Sequence, residues 1–260
     1  LGAGKPIVLC AFDWVGIGNG SYDAFRAELA KGVGTTADRV ALHTLHQHDA
    51  PGSDFITERM LAQEGLGKQF SNADFDAQAM KRVASAARQS FAKAEPITHF
   101  SHGAGRVEKV ASNRRILGPD GKVALRRMSK STNPEAKAAP EGTIDPLVRM
   151  IVFWQNEKPL SVLTYYATHP QSYYGQGLVN WDFVGYARQL REKALPGVPH
   201  IHFNGAGGNV AAGKYNDGSK EKRPLLAQRL ADGMQRAWKA QQKSRLTVKD
   251  VAWAVEPVNL

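Results

Sequence analysis

The apolar run PIVLCAF (Pro6–Phe12) and the stretch RVALHTLHQH (Arg39–His48) decide the fold of this 260-residue chain. Both runs predict buried β-strands, and the first is followed by a glycine-rich turn, Gly16–Gly20. A helix is predicted between them, over Tyr22–Lys31. A strand, a helix and a second strand in this order form a βαβ unit, which favours parallel pairing of the two strands. The sequence therefore predicts an α/β fold.

The rest of the chain continues this pattern and adds an antiparallel element. Two apolar runs separated by QNEKP predict a β-hairpin, so the sheet is expected to be mixed. Residues 118–146 are rich in Gly, Pro, Lys and Glu and are interpreted as a loop insertion. The predicted elements are helix Phe75–Ala94, strands Leu147–Trp154 and Leu160–His169, helix Phe183–Ala194, strand Ile201–Phe203, helix Pro224–Gln241 and strand Leu246–Val255. We expect one α/β domain with a mixed, largely parallel sheet flanked by helices, and an active site at the C-terminal ends of the strands.

Composition excludes several classes of protein. The formal net charge is +10, but the basic residues are scattered and not interleaved with aromatic ones, so we predict no nucleic-acid partner. A single cysteine, Cys10, rules out an internal disulfide framework and a thiolate metal site. No apolar run has the ~18 residues of a membrane helix, so no transmembrane segment is predicted.

Histidines mark the ends of two predicted strands. In ALHTLHQHDAPG (Ala41–Gly52), alternation along a strand places His46 and His48 on one face and His43 on the other. His169 ends the strand LSVLTYYATH immediately before Pro170. Neutral imidazoles are good zinc ligands, and catalytic zinc sites commonly use three protein ligands and one water. We therefore predict a zinc site at these strand ends, where HxH by chance and a structural His169 are the competing interpretations.

Other segments carry weaker signals. Arg114 is either a solvated residue or a guanidinium that stabilises negative charge on a substrate carbonyl. Asp182 begins a predicted helix and is either its N-cap or a residue that orients a histidine. The loop GAGGNVAAGK (Gly205–Lys214) matches a phosphate loop in part, but Tyr215 stands where such a loop has Ser or Thr, and turn formers follow it.

Taken together and in order, these segments resemble the neutral/alkaline (non-lysosomal) ceramidase family, particularly its bacterial ceramidase-like members. The family's THTHSGPG is similar to LHQHDAPG, its NRR or NRS to Asn113–Arg115, and its ATH or CHP strand end to ATHPQS. Its DxxGYA is similar to DFVGYA, and its GAAGDxxP to GAGGNVAAG. The matching segments extend from about Pro6 to Trp238.

The resemblance implies a zinc-dependent hydrolase that cleaves the N-acyl amide bond of a small-molecule or lipid substrate. It assigns His46 and His169 to the zinc ion, His48 to proton transfer and Arg114 to the substrate carbonyl. Asp49, Asp182 and Asn209 are expected around the metal or in the substrate loop. The family completes its zinc site with a Glu and a Tyr further along its chain, and this chain begins with Leu1 instead of Met, so residues 1–260 are expected to be a domain incomplete at both ends. The resemblance also suggests a secreted or periplasmic location.

This chain departs from the family pattern at two places. Asp49 and Ala50 stand where the family has Ser and Gly, and Ala211 and Ala212 replace the Ser-Pro or Asn-Pro after its glycine-rich loop. These departures leave open a non-catalytic, ligand-binding relative. A nucleotide-binding domain that uses Gly208–Lys214 is the third hypothesis. Ceramide specificity and the oligomeric state do not follow from the sequence.

Overall fold

A computed structural model of the chain describes residues 4–256. The chain divides into two compact units, each described here by itself. The first unit takes the described residues up to Thr44, then Pro51–Pro96, then the residues from Leu246 onward. The second takes Leu45–Ala50 and Ile97–Arg245. The mixed α/β class predicted from the sequence is confirmed.

The first unit is built on the predicted βαβ arrangement. Strands β1 (Val8–Phe12) and β3 (Val40–Thr44) pair in parallel, and helix α1 (Asn19–Val33) connects them. Phe25 and Leu29 of α1 are buried against both strands in an apolar core. The remaining elements of this unit are β2 (Gly16–Ile17), β4 (Gly52–Ser53), α2 (Phe55–Gln63) and α3 (Ala73–Ala92), with short 3₁₀ turns at Ala37–Arg39 and Val248–Asp250.

Helix α2 was not predicted from the sequence. It has 9 residues, and Met60 on it is 62% exposed, so it lacks a clear apolar stripe. Its start is set instead by Asp54, whose carboxylate accepts hydrogen bonds from the backbone N–H groups of Ile56 and Thr57.

The second unit contains a five-stranded sheet in the order β11-β10-β9-β5-β13. Two helices, α5 and α6, pack against each other, and α6 also lies against β5 and β9. The elements of this unit are β5 (His99–Arg106), β6 (Ser112–Asn113), β7 (Arg115–Leu117), β8 (Val123–Arg126), α4 (Pro134–Ala138), β9 (Leu147–Gln155), β10 (Lys158–Tyr166), α5 (Asp182–Ala194), β11 (His200–Asn204), β12 (Val210–Ala211), α6 (Lys222–Lys239) and β13 (Gln242–Arg245).

Strand directions in this sheet differ from the expected, largely parallel arrangement. Only β10 and β11 pair in parallel, across helix α5, whereas β10–β9, β9–β5 and β5–β13 are antiparallel. The hairpin β9–β10, which was predicted, turns at Asn156 and Glu157 and sets the direction of the strands beyond it. The sheet is therefore mixed, and its parallel part is confined to one edge.

Strand β5 was missed because its sequence, HFSHGAGR, has no regular apolar alternation. Its glycines allow helix α6 to approach the backbone of the strand. A Cβ on Gly105 would lie 2.2 Å from the carbonyl oxygen of Gly233, and one on Gly103 would lie 2.3 Å from that of Ala237. These glycines are therefore part of a close helix–sheet contact and not signs of a turn.

The end of the described chain also differs from the prediction. The last strand is β13, Gln242–Arg245, and not Leu246–Val255, within which the structure has only a 3₁₀ turn. All four residues of β13 are polar and exposed, so hydropathy does not reveal this edge strand. In residues 4–256, no helix combines the length and the apolar composition that a membrane crossing requires.

Residues 118–146 are not a plain loop insertion. They contain most of the β7–β8 hairpin and helix α4, and Arg127 at their centre is only 1% exposed. The Arg127 guanidinium donates to five backbone carbonyls, those of Asn113, Ala136, Ala139, Pro140 and Glu141. A charged residue in a polar stretch thus serves as a buried cross-link, which a hydropathy pattern cannot show.

The substitution Gly105→Ala tests the close contact between β5 and α6. A methyl group there has no room between two backbones, so we expect a loss of roughly 1–3 kcal/mol or more in the free energy of unfolding. Urea denaturation measures it. Gly208→Ala is the matched control in the same unit, because no atom lies within 4 Å of the added Cβ. Equal stability of the two variants would contradict this packing.

Candidate metal centre

Residues 45–50, which follow strand β3, carry two of the predicted site residues. The strand ends at Thr44, and Leu45 and Gln47 are fully buried, whereas His46 and His48 lie on the more accessible side. His46 has a left-handed backbone with φ 66°. The side-chain alternation predicted for this stretch is therefore present, but it occurs in a loop and not within a strand. His43 lies inside β3, where it is paired with Ala11.

Three imidazoles converge at this loop. The Nε2 atoms of His46 and His48 are 3.3 Å apart, and the ring centroids of His46 and His169 are 5.1 Å apart. One ligand nitrogen from each of His46, His48 and His169 lies within 4.8 Å of the other two. The structure thus brings together residues more than 120 positions apart in the sequence. In the described chain, this is the one group of His, Cys, Asp and Glu side chains with the geometry of a metal site.

Two hydrogen bonds connect His169 to the glycine-rich loop. Its backbone N–H donates to the carbonyl of Val210, and its Nδ1 is 2.6 Å from the carbonyl oxygen of Gly207. Because a carbonyl only accepts, Nδ1 carries the proton, and Nε2 keeps the lone pair that a metal needs. A Cβ on Gly207 would lie 3.1 Å from the carbonyl carbon of Thr168, so only glycine allows this approach without a shift.

Burial and nearby charges favour the neutral forms of His48 and His169. Burial, followed by the nearby His46, His169 and Arg114, lowers the pKa of His48 to about 4. Burial also lowers the pKa of His169, while its hydrogen bond to Gly207 acts in the opposite direction. Neutral rings can donate their lone pairs, which is the state that metal binding requires.

Arg114 lies close enough to the histidines for its charge to lower the pKa values of His48 and His169. Its guanidinium donates to the carbonyl of Gly208 at 3.3 Å and contacts the sulfur of Met128 at 3.5 Å. Both polar groups of its backbone are hydrogen-bonded: the N–H donates to the backbone carbonyl of Asn209, and the carbonyl accepts from the N–H of Arg127. Arg114 is therefore a positioned cation beside the three imidazoles.

Asp49 binds a neighbouring segment of the chain, residues 175–180, through both its side chain and its backbone. Its carboxylate accepts from the N–H of Gly175 at 2.7 Å, and its carbonyl accepts from the N–H of Asn180 at 2.6 Å. Tyr174, next to this segment, has its ring centroid 5.3 Å from that of His48. No motif or periodicity in the sequence singles out Tyr174.

Asp182 supports the chain after His169. It is the first residue of α5, with φ 49°, and its buried carboxylate accepts from the N–H of Ser172 and pairs with Arg223. Burial raises the pKa of Asp182, and the Ser172 N–H and Arg223 oppose that shift. The carboxylate also accepts from the N–H of Phe183. Arg223 was not singled out from the sequence, because a basic run gives no sign that one member is buried.

The glycine-rich loop contributes its backbone more than its side chains. Asn209, expected near the substrate, has its side-chain oxygen bound by Arg115 at 2.9 Å. Lys214 donates to the carbonyls of Lys137, Ala138 and Ala139, and the next helix, α6, begins only at Lys222. An engaged lysine and the lack of a helix directly after the loop are unlike a phosphate-binding loop.

Solved structures similar to this chain identify its fold. No protein-family model matches the chain, and no curated protein matches it. Among solved structures, a ceramidase complexed with C2 is similar, with a TM-score of 0.61 and 16% identity over 92% of this chain and 36% of that chain. The neutral ceramidase from Pseudomonas aeruginosa is similar with a TM-score of 0.56 and 16% identity, over 84% of this chain and 34% of that one. The chain spans about a third of each solved structure, and its fold is ceramidase-like.

Proposed function

We propose that this chain carries the metal site of a zinc-dependent hydrolase that cleaves an N-acyl amide bond, as ceramidases do. The observation that carries the proposal is the convergence of His46, His48 and His169 beside Arg114. The ceramidase-like fold supports it, since the two similar solved structures are ceramidases. The same similarity supports an N-acyl lipid as the substrate class.

The donor set fits zinc. Neutral imidazole is a preferred zinc ligand, and one ligand nitrogen from each of His46, His48 and His169 lies within 4.8 Å of the other two. His169 presents Nε2 because Gly207 binds its Nδ1–H, the arrangement found around ligating histidines. When bound, the ion supplies Lewis-acid polarisation of the amide carbonyl and lowers the pKa of a bound water toward ~7.

Each residue has a role that follows from its position. His46 and His169 are half-buried and hold the ion, the latter through a ring fixed by Gly207. His48 is the exposed member of the three, so it can exchange protons with solvent and with the substrate nitrogen. Arg114 faces the substrate carbonyl and stabilises the negative charge that develops on its oxygen.

Zinc binding by the purified protein tests the ligand assignment. Loss of a residue that only hydrogen-bonds a zinc ligand typically weakens zinc binding about 10–100-fold. We expect His46→Ala and His169→Ala, which remove proposed ligands, to weaken zinc binding by at least that factor. His48→Ala is expected to weaken it much less. Equilibrium dialysis with zinc measures the dissociation constants. His102→Ala, at an exposed position on β5, is the control. Unchanged zinc affinity in both His46→Ala and His169→Ala would contradict the proposal.

Hydrolysis by a second variant at His48, His48→Gln, tests the role of this residue. Loss of a residue that transfers a proton costs typically 10²–10⁴-fold in rate, so His48→Gln is expected to lower kcat in that range while zinc content is retained. Release of fluorescent aminomethylcoumarin from its dodecanoyl amide, by zinc-loaded protein, provides the assay. Loss of zinc from His48→Gln would make His48 a third ligand instead. Full activity of this variant would exclude both roles.

A further inference from the structure

Residues 175–180, named here the rim loop, are hydrogen-bonded at both ends to Asp49. The N–H of Gly175 donates to the Asp49 carboxylate at 2.7 Å, and the N–H of Asn180 donates to the Asp49 carbonyl at 2.6 Å. The loop also turns twice through left-handed glycines, Gly175 with φ 78° and Gly177 with φ 75°. Asp49 thus defines the shape of a short loop that has no strand or helix of its own.

The rim loop lies near His48. Asp49 directly follows His48 in the chain, and the ring of Tyr174, which precedes the loop, is 5.3 Å from the ring of His48. Val179 directly precedes Asn180, whose N–H is bound to the Asp49 carbonyl, so the Cα atoms of Val179 and Asn180 are about 3.8 Å apart. A substrate held at the histidines therefore has the rim loop as a neighbour.

The rim loop is uncharged and carries two adjacent aliphatic residues, Leu178 and Val179. Its sequence, GQGLVN, contains no acidic or basic residue in a chain whose net charge is +10. Leu178 is 74% exposed and Val179 is 79% exposed, and these are the most exposed large hydrophobic side chains in residues 4–256. These two adjacent aliphatic side chains form an exposed apolar surface that a ligand can cover.

We propose that Asp49 is a positioning residue that fastens the rim loop beside the histidines, and that Leu178 and Val179 contact the apolar acyl chain of the substrate. The proposal rests on the amide-hydrolase function proposed above. An acyl chain is the occupant that fits, because the loop offers apolar surface and no charge for a headgroup. Asp49 thereby sets the preference for acyl length without taking part in the chemistry.

Substitutions at Asp49 separate positioning from a general structural role. Asp49→Ala removes the acceptor for the Gly175 N–H, whereas Asp49→Asn keeps an oxygen at that place. We expect faster hydrogen exchange at Gly175 and an about tenfold higher KM for the dodecanoyl amide in Asp49→Ala. The KM for the acetyl amide, the kcat and the zinc content are expected to stay the same, and Asp49→Asn is expected to restore the wild-type KM. Equal effects on both amides, or no rescue by Asn, would overturn the positioning role.

Substitutions on the rim loop test the acyl contact without relying on hydrolysis. Dodecanoate binding, measured by calorimetry below its micelle concentration, is expected to weaken about tenfold in the double variant Leu178→Ser/Val179→Ser, since two apolar contacts are lost. Leu117→Ser, at another leucine that is 62% exposed, is the control and should bind as the wild type does. Because both side chains are exposed, the double variant is expected to fold normally.

The outcomes distinguish the two proposals. Wild-type affinity in the double variant, or no dodecanoate binding by the wild type, would overturn the acyl contact whatever the enzymatic activity. If dodecanoate binding depends on Leu178 and Val179 while the protein neither binds zinc nor cleaves either amide, the proposed function fails and the rim loop remains an acyl-binding surface. A loss of binding in Leu117→Ser equal to that in the double variant would also contradict the assignment.

Discussion

The hydrogen bond between the His169 ring and the Gly207 carbonyl is the interaction on which the candidate site depends. It connects the chain after β10 to the loop after β11, and it fixes which ring nitrogen carries a proton. The absence of a side chain on Gly207 makes this contact possible. The same loop binds the backbone N–H of Arg114 through the carbonyl of Asn209 and receives its guanidinium at the carbonyl of Gly208. One glycine-rich segment thus positions both His169 and the Arg114 guanidinium near it.

Basic side chains hold much of the second unit together by binding backbone carbonyls. Arg127 donates to five carbonyls and Lys214 to three, and Arg223 binds the carbonyl of Tyr173 next to the Asp182 carboxylate. Buried carbonyls without partners are costly, so a cation that satisfies several of them stabilises loops that have little regular structure. Part of the Lys and Arg content of the chain is therefore used inside the fold.

Prediction from the sequence succeeded where the periodicity of apolar residues reflects burial. The β1–α1–β3 unit, the β9–β10 hairpin and helix α6 were predicted because their buried faces follow the repeats of strands and helices. It failed for β5, whose glycines serve a helix contact, and for β13, which is a polar edge strand. It also treated residues 118–146 as an insertion, although Arg127 is buried there. Each of these features depends on a contact with another segment of the chain, which local sequence patterns do not reveal.

For the candidate site, the sequence by itself determined the residue types, and the tertiary structure decided their arrangement. The spacing of His46 and His48 places both on one side of an alternating stretch, and local alternation is enough to predict that. The meeting with His169 needs the loop after β10 and the support of Gly207, contacts between segments 38 or more residues apart. The partners of Asp49 and Asp182 likewise became known only from the fold, because a carboxylate's hydrogen-bond donors depend on which backbone N–H groups the folded chain brings to it.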